Sequence, residues 1–275
     1  MPRRGGPVPR LAGSVALATT MAMASVTATV AATATTTVAA PAAPTPTSPV
    51  TATPAEPARP RAAPTEVVDI LVEPASALRH IVIDGRRIDY RASWSETVLE
   101  DAAGVPQATI SATSYVREDV RDRVSRPVMV FFNGGPGASS SPLHFEAFGP
   151  RRRPPRSAGP DAPLADNPAT PLEVADLLFV DPVGTGFSRE LRVGGGKPYW
   201  SPVGDPASVL ALIRAWLRDN GREASPLIVT GQSYGGTRAA LMAKDMGDLN
   251  VAALVLVSPA LDYSAGAGGI VERRR

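Results

Sequence analysis

The chain has 275 residues, with 28 lysines and arginines, 26 aspartates and glutamates, two histidines and no cysteine. Disulfides and acylation of a lipoprotein cysteine are therefore excluded, and a domain of about 200 residues can fold without disulfides because its core is large enough. The excess of basic residues comes from the first 40 residues, since the remainder holds 25 basic and 26 acidic residues. The charge gives no support to nucleic-acid binding.

Residues 1–40 have the layout of a secretory signal peptide. Arg3, Arg4 and Arg10 precede an uncharged stretch, LAGSVALATTMAMASVTATVAA, which ends in small residues. That stretch contains mostly Ala and Thr and few of the large apolar residues on which membrane insertion relies, so a stable membrane anchor is not expected. The sequence predicts export to the periplasm or the extracellular space, with cleavage within residues 32–40.

Two further segments follow the leader. Residues 41–65 are rich in Pro, Ala and Thr and contain few bulky apolar residues. Their burial would not offset the conformational entropy lost on folding, which indicates a linker. Residues 66–275 form the globular part. Its beginning predicts antiparallel strands joined by tight turns at Asp84-Gly85 and at residues 102–104.

After this lead-in the sequence contains short runs that are apolar at consecutive positions, as expected of parallel strands buried on both faces. The runs are VMVFF (128–132), DLLFVD (176–181), LIVTG (227–231) and VAALVLVS (251–258). Residues 205–221 and 237–248 have apolar residues at three- and four-residue spacing, which predicts helices. Strands that alternate with helices favour an α/β fold with a largely parallel sheet.

The segment Gly231-Gln232-Ser233-Tyr234-Gly235 fits the pattern G-x-S-x-G between a buried strand and a helix. In this context a sharp turn lifts the serine hydroxyl clear of the sheet, and the flanking glycines prevent a collision of side chains. The helix is expected to begin near Thr237. Ser233 is thus a candidate nucleophile, although the pattern also occurs in ordinary glycine-containing turns.

A second motif, Asn133-Gly134-Gly135-Pro136-Gly137, follows directly after VMVFF. A loop of this composition after a core strand can offer backbone N–H groups to an oxyanion, together with the N–H of Tyr234. The alternative is an ordinary Gly/Pro turn.

At this point the sequence resembles the serine carboxypeptidase family, in particular its bacterial members, over roughly residues 79–262. The resemblance rests on four ordered motifs: FFNGGPGASSS (131–141), FGPRR (148–152), ADLLFVDPVGTGFSRE (175–190) and TGQSYGGTRAALMA (230–243). It implies the α/β-hydrolase fold and removal of single residues from the C-termini of peptides through an acyl-enzyme. It implies no metal or organic cofactor.

The resemblance also implies roles for individual residues. Ser233 would be the nucleophile, and the N–H groups of Gly135 and Tyr234 would form the oxyanion hole. Asn133, with Gly134 in the same loop, would help bind the terminal carboxylate of a peptide substrate.

The sequence departs from the family pattern at two positions. The usual glutamate before the serine is Gln232, and Ala147 stands where eukaryotic relatives carry a second glutamate. A neutral Gln232 amide can donate the same hydrogen bond to a carboxylate without titrating, which predicts a flatter or more neutral pH profile. Glu146 lies one residue away and is an alternative partner, but a one-residue offset redirects a side chain.

A serine hydroxyl needs an imidazole base held by a carboxylate, and in this fold both follow the serine in the chain. No histidine follows Ser233. His144 follows the glycine-rich loop and is expected near the mouth of the site, but it precedes Ser233, and His80 is expected to have a surface or structural role. Asp262 and Asp181 match turn aspartates better than a catalytic acid. We therefore expect an N-terminal portion of the fold, incomplete at the C-terminus and inactive or nearly so by itself.

Two other functions remain open. The loss of the carboxylate-binding glutamates suits an esterase or acyltransferase on the same scaffold. The absent triad partners suit a non-catalytic exported remnant or binding protein.

Overall fold

The structure is a computed structural model that describes residues 71–159 and 161–262. The predicted signal peptide and linker therefore lie outside the described residues and stay predictions. Within the described ranges, no helix is both long enough and apolar enough to cross a membrane.

Seven strands form one mixed sheet in the order β1-β2-β3-β7-β4-β8-β9, and two short strands, β5 and β6, pair separately. The strands are β1 Ala75–Ile83, β2 Arg86–Glu100, β3 Pro106–Arg117, β4 Val128–Phe132, β5 Arg151–Arg152, β6 Ala165–Asp166, β7 Asp176–Asp181, β8 Leu227–Gln232 and β9 Val251–Val257. Strands β7, β4, β8 and β9 are parallel, whereas β1, β2, β3 and β7 pair in antiparallel fashion. This arrangement, with the helices described below, confirms the predicted α/β-hydrolase fold with an antiparallel lead-in.

The predicted turns join the lead-in strands. Asp84 and Gly85 have φ values of 49° and 76°, and they connect β1 to β2. Between β2 and β3, the carboxylate of Asp101 accepts hydrogen bonds from the backbone N–H groups of Ala103 (2.9 Å) and Val105 (3.0 Å). Short polar side chains and a glycine therefore set both reversals locally.

The two helices lie close to their predicted positions. Helix α1 spans Gly204–Asp219, and helix α2 spans Tyr234–Met242, followed by a 3₁₀ turn at Ala243–Asp245. The expectation that α2 begins near Thr237 is wrong by three residues, because Ser233 itself makes the turn and the helix starts with the next residue. A π-helix at Leu143–Phe148 was not predicted.

Two hydrophobic cores lie on opposite faces of the sheet. Phe132 and Val180 pack on the face covered by α1 and α2, while their neighbours Phe131 and Phe179 pack on the face covered by the π-helix. Because both faces of β4 and β7 are buried, consecutive positions in these strands are apolar. Strand β9 differs, since Leu254, Val255 and Leu256 are exposed and the strand pairs only with β8 in the described part of the chain.

A buried ion cluster lies at the amino ends of β4, β7 and β8. The Asp176 carboxylate, which is fully buried, pairs with Arg126 (2.9 Å) and Arg222. Both arginines also donate to backbone carbonyl oxygens, Arg126 to Ala175 (2.9 Å) and Arg222 to Arg126 (2.7 Å). The cluster joins three strands at the end of the sheet opposite to Ser233, which follows the carboxyl end of β8.

Candidate active site

Ser233 occupies the sharp turn between β8 and α2. Its φ and ψ angles are 57° and −123°, a strained conformation for a residue with a side chain. The backbone is held there because Ser233 N–H donates to Val257 O (3.0 Å) and Ser233 O accepts from Gly236 (2.9 Å) and Ala260 (3.0 Å). The Ser233 side chain is exposed and makes no capping hydrogen bond to α2. The turn thus presents a hydroxyl to solvent at the carboxyl edge of the sheet.

Glycines allow the backbone segments around Ser233 to approach each other. A Cβ atom on Gly231 would overlap the carbonyl of Gly235, and a Cβ atom on Gly235 would lie 2.7 Å from Phe132 O. A Cβ atom on Gly134 would overlap the backbone nitrogen of Tyr234. The loop after β4 therefore packs backbone to backbone against the turn, which no other residue type permits at these positions.

This packing brings together the two segments predicted to supply the oxyanion hole. Gly135 has a φ of 109° and is exposed at the tip of the loop, next to a cis peptide bond with Pro136. Tyr234 is the first residue of α2, so its backbone N–H belongs to the positive end of the helix dipole. The assignment of Gly135 and Tyr234 as oxyanion donors stays a prediction.

Asn133 and Gln232 contact each other through their side-chain amides. Asn133 Nδ2 donates to Gln232 Oε1, and Asn133 Oδ1 accepts from the backbone N–H of Leu143 (3.3 Å). Asn133 is buried and Gln232 is half-buried. No described residue accepts from Gln232 Nε2, so the amide pair keeps a donor beside Ser233.

The structure does not bring Glu146 into this pair. Its side chain is 60% exposed on the π-helix, and its carboxylate lies 3.8 Å from Arg153. Ala147 is half-buried, and its carbonyl accepts from Asn167 Nδ2 (2.7 Å). At the position of the family's second glutamate, Ala147 thus contributes a backbone carbonyl contact and no carboxylate.

Neither histidine contacts Ser233. His80 is exposed on β1, as expected. His144 is buried, its Nε2 lies 2.6 Å from the hydroxyl of Tyr115, and its ring stacks on Phe179 with centroids 4.3 Å apart. Burial lowers the pKa of His144 to about 4. The expectation that His144 lies near the mouth of the site is wrong, since its ring fills the core beneath the π-helix.

Asp181 connects two loops next to the site. Its Oδ1 accepts from the backbone N–H (2.7 Å) and the hydroxyl (2.8 Å) of Ser140. Burial raises the pKa of Asp181, and the bonds from Ser140 oppose that change. The predicted turn role agrees with these contacts, which hold the glycine-rich loop to the segment after β7.

A cavity of about 310 Å³ lies beside Tyr234. Pro136, Val183, Tyr199 and Trp200 line it, with the indole N–H of Trp200 donating to Val183 O (3.1 Å). The walls are therefore largely apolar and aromatic. In residues 71–159 and 161–262, no group of three potential ligands could hold a metal ion.

A buried ion pair, which the sequence did not indicate, also borders the cavity. Arg238 on α2 is 1% exposed, and its Nε lies 3.0 and 2.9 Å from the two carboxylate oxygens of Asp205. Its Nη1 donates to Asn133 O (2.6 Å), and its guanidinium lies 5.4 Å from the ring centroid of Phe132 and 5.3 Å from that of Tyr234. Burial raises the pKa of Asp205, and Arg238 opposes that rise.

Comparisons with family models and with known proteins indicate the same family. The model of the family described as serine carboxypeptidase, Peptidase S10, matches residues 114–253, slightly more than half of the chain. The pheromone-processing carboxypeptidase KEX1 of Saccharomyces cerevisiae is 37% identical over 84 residues, which are 30% of this chain and 11% of that protein. Serine carboxypeptidase-like 36 of Arabidopsis thaliana is 34% identical over 127 residues, which are 44% of this chain and 24% of that protein.

A similar solved structure is that of KEX1(Δ)p, a prohormone-processing carboxypeptidase from Saccharomyces cerevisiae. It has a TM-score of 0.48 and 21% sequence identity, and the match covers 60% of this chain and 38% of that one. These matches thus cover less than two fifths of the length of each of the proteins compared.

Proposed function

The chain belongs to the serine carboxypeptidase family, and from this membership we propose that its site serves hydrolysis of C-terminal peptide bonds through an acyl-enzyme on Ser233. In this proposal the N–H groups of Gly135 and Tyr234 stabilise the oxyanion. The substrate is a peptide with a free C-terminus, and the protein is exported.

The observation that carries the proposal is the geometry of Ser233. A strained, exposed serine at a strand-to-helix turn serves no packing purpose, because its side chain faces solvent. Strain of this kind persists where the surroundings over-determine the backbone and where function uses it. The glycine-rich loop meets the same turn, so nucleophile and oxyanion donors would face one carbonyl group.

The amide pair supports a carboxylate-binding role. Asn133 holds Gln232 Oε1, which leaves Gln232 Nε2 to donate to a terminal carboxylate. Neither amide titrates, so we expect the affinity for a peptide carboxylate to be constant between about pH 5 and pH 8, above the usual pKa of a C-terminal carboxyl. Glu146 would take part only after its side chain left the surface.

Turnover by this chain is expected to be slow. Both of its histidines are placed away from Ser233, and a serine without a base keeps only the weak catalysis of the oxyanion hole and binding. The proposal is therefore tested best by binding.

The experiment compares two ligands, a blocked dipeptide with a free C-terminal carboxylate and its C-terminal amide. Affinities are measured by calorimetry on the Ser233→Ala variant, which removes residual hydrolysis. We expect the acid to bind about tenfold or more tightly, because the amide forfeits a charge-assisted hydrogen bond. Gln232→Leu should abolish the preference, while Glu146→Gln, on the surface, should preserve it.

Equal affinities for acid and amide would refute a carboxypeptidase site. That result would favour an esterase or acyltransferase, for which the neutral Gln232 in place of an acid is the supporting observation. An affinity for the acid that rises steeply below pH 5 would contradict the amide pair as the binding group, since only a titrating carboxyl behaves in that way.

A further inference from the structure

The ion pair of Arg238 and Asp205 joins the two halves of the candidate oxyanion hole. Arg238 stands on α2, five residues after Ser233, and Asp205 stands in the first turn of α1. The third contact of Arg238 is the carbonyl oxygen of Asn133, the first residue of the glycine-rich loop. One guanidinium therefore contacts the helix that begins at the turn, the adjacent helix and the loop.

The contact with Asn133 fixes one particular peptide group. The carbonyl of Asn133 and the N–H of Gly134 belong to the same planar peptide, so a bond to the oxygen sets the orientation of the plane. The next peptide carries the N–H of Gly135. Because Gly134 and Gly135 have no Cβ atoms, their own dihedral angles restrain this orientation little.

The guanidinium of Arg238 also contacts an acidic side chain and two aromatic rings. Its Nε contacts both carboxylate oxygens of Asp205, and the rings of Phe132 and Tyr234 lie over it. A fork-shaped guanidinium can make these contacts and bind a carbonyl at the same time, whereas an ammonium is a single point charge. Arg238 therefore couples the position of the glycine-rich loop to the position of α2.

We infer that Arg238 is a positioning residue, which sets the glycine-rich loop against α2 so that the N–H groups of Gly135 and Tyr234 converge. It acts through Asn133 and does not touch the reacting atoms. The inference rests on the proposed function only in assigning the two N–H groups to an oxyanion hole. The placement of the loop by Arg238 can be measured independently of that assignment.

The chain offers a matched control. Arg222 is equally buried, pairs with a buried aspartate and donates to a backbone carbonyl, but it lies at the opposite end of the sheet. The variants Arg238→Lys and Arg222→Lys each keep the charge and remove the fork. A merely structural role would make the two variants behave alike.

The test is hydrogen exchange of the full chain, followed by mass spectrometry of peptides that cover residues 131–143. Two backbone N–H groups report on the loop, since Ala138 donates to Gly134 O (3.0 Å) and Leu143 to Asn133 Oδ1. We expect Arg238→Lys to speed exchange in this segment about tenfold, the value of one lost hydrogen bond, and Arg222→Lys to leave it unchanged. Unchanged exchange in Arg238→Lys, or equal acceleration in both variants, would overturn the inference.

Labelling of Ser233 by a fluorophosphonate gives the second readout. We expect the rate for Arg238→Lys to fall about tenfold or more below that of the unchanged chain, and the rate for Arg222→Lys to match it. Equal rates in Arg238→Lys and the unchanged chain would overturn the inference. Because no histidine contacts Ser233, slow labelling of the unchanged chain is itself expected. The exchange comparison decides the role of Arg238 independently of labelling, and the binding of the acid and the amide tests the proposed function.

Discussion

The pKa of His144 lies well below the usual value for a histidine because the side chain is buried. Its imidazole is enclosed by the rings of Tyr115, Phe145 and Phe179, and its hydrogen-bond partner is a neutral hydroxyl. Among residues 71–159 and 161–262, no carboxylate contacts the ring to favour the charged form. Burial therefore acts alone, and it lowers the pKa of His144 from 6.5 to about 4.

This lowered pKa makes the free energy of unfolding depend on pH. Well above pH 6.5 the histidine is neutral in both states, and as the pH falls through 6.5 toward 4 the unfolded state gains a proton before the folded state does, so stability decreases. The full loss is about 3 kcal/mol, from the size of the pKa change. Urea unfolding between pH 8 and pH 4 measures most of this loss.

The exposed His80 provides the control. His144→Gln should flatten the pH dependence, whereas His80→Gln should leave the slope of the unchanged chain. A slope that survives in His144→Gln would show that other groups cause the loss of stability.

The active-site elements depend on the close approach of backbone segments. The loop after β4 and the turn after β8 come from parts of the chain about 100 residues apart, and Gly134 lies where they touch. The three atoms nearest to a Cβ atom on Gly134 all belong to the backbone of residues 232–235, so strain introduced there cannot relax by a rotamer change.

Gly134→Ala should therefore destabilise the protein by about 2 kcal/mol or more, because its methyl group overlaps the backbone of the turn. Gly247→Ala is the matched control, since a Cβ atom there meets nothing within 4 Å. Thermal unfolding of both variants measures the difference. Equal melting temperatures would mean that the loop can move away from the turn at little cost.

Local sequence patterns predicted most of these elements, and the unpredicted parts are long-range contacts. The runs in β4, β7 and β8 are apolar because both faces are buried, and Gly85 marks a turn because of its positive φ. The pair of Arg238 and Asp205 has no local signal, since 33 residues separate its members. Likewise, the amide contact of Asn133 with Gln232 follows from the adjacency of β4 and β8 in the sheet, not from a sequence spacing.

At the scale of the whole molecule, a buried ion cluster connects the amino ends of three strands in a chain that has no cysteine for a disulfide. The Asp176 carboxylate neutralises one of two buried arginines and contacts both, and the carbonyl oxygens of Ala175 and Arg126 accept from further guanidinium N–H groups. Loss of the carboxylate would leave Arg126 and Arg222 buried without a counter-charge. Removing one member of such a cluster is far more costly than replacing all of it.

Asp176→Asn should lower the free energy of unfolding by about 3 to 5 kcal/mol, which is a large part of the stability of a typical domain. The exposed pair of Glu173 with Arg86 serves for comparison, since Glu173→Gln should cost less than about 1 kcal/mol. Denaturant titration of both variants measures the two costs. Similar small losses would mean that water enters the cluster and replaces the missing charge.

The position of Ser233 also has a practical consequence, because this exposed turn stands in a chain without any cysteine. Ser233→Cys would introduce the sole thiol of the molecule at the start of a helix, where the dipole favours the thiolate. A dye or spin label attached there would report from the site alone, with no background from other positions. The same substitution would let a tethered peptide be held in the adjoining cavity by a single covalent bond.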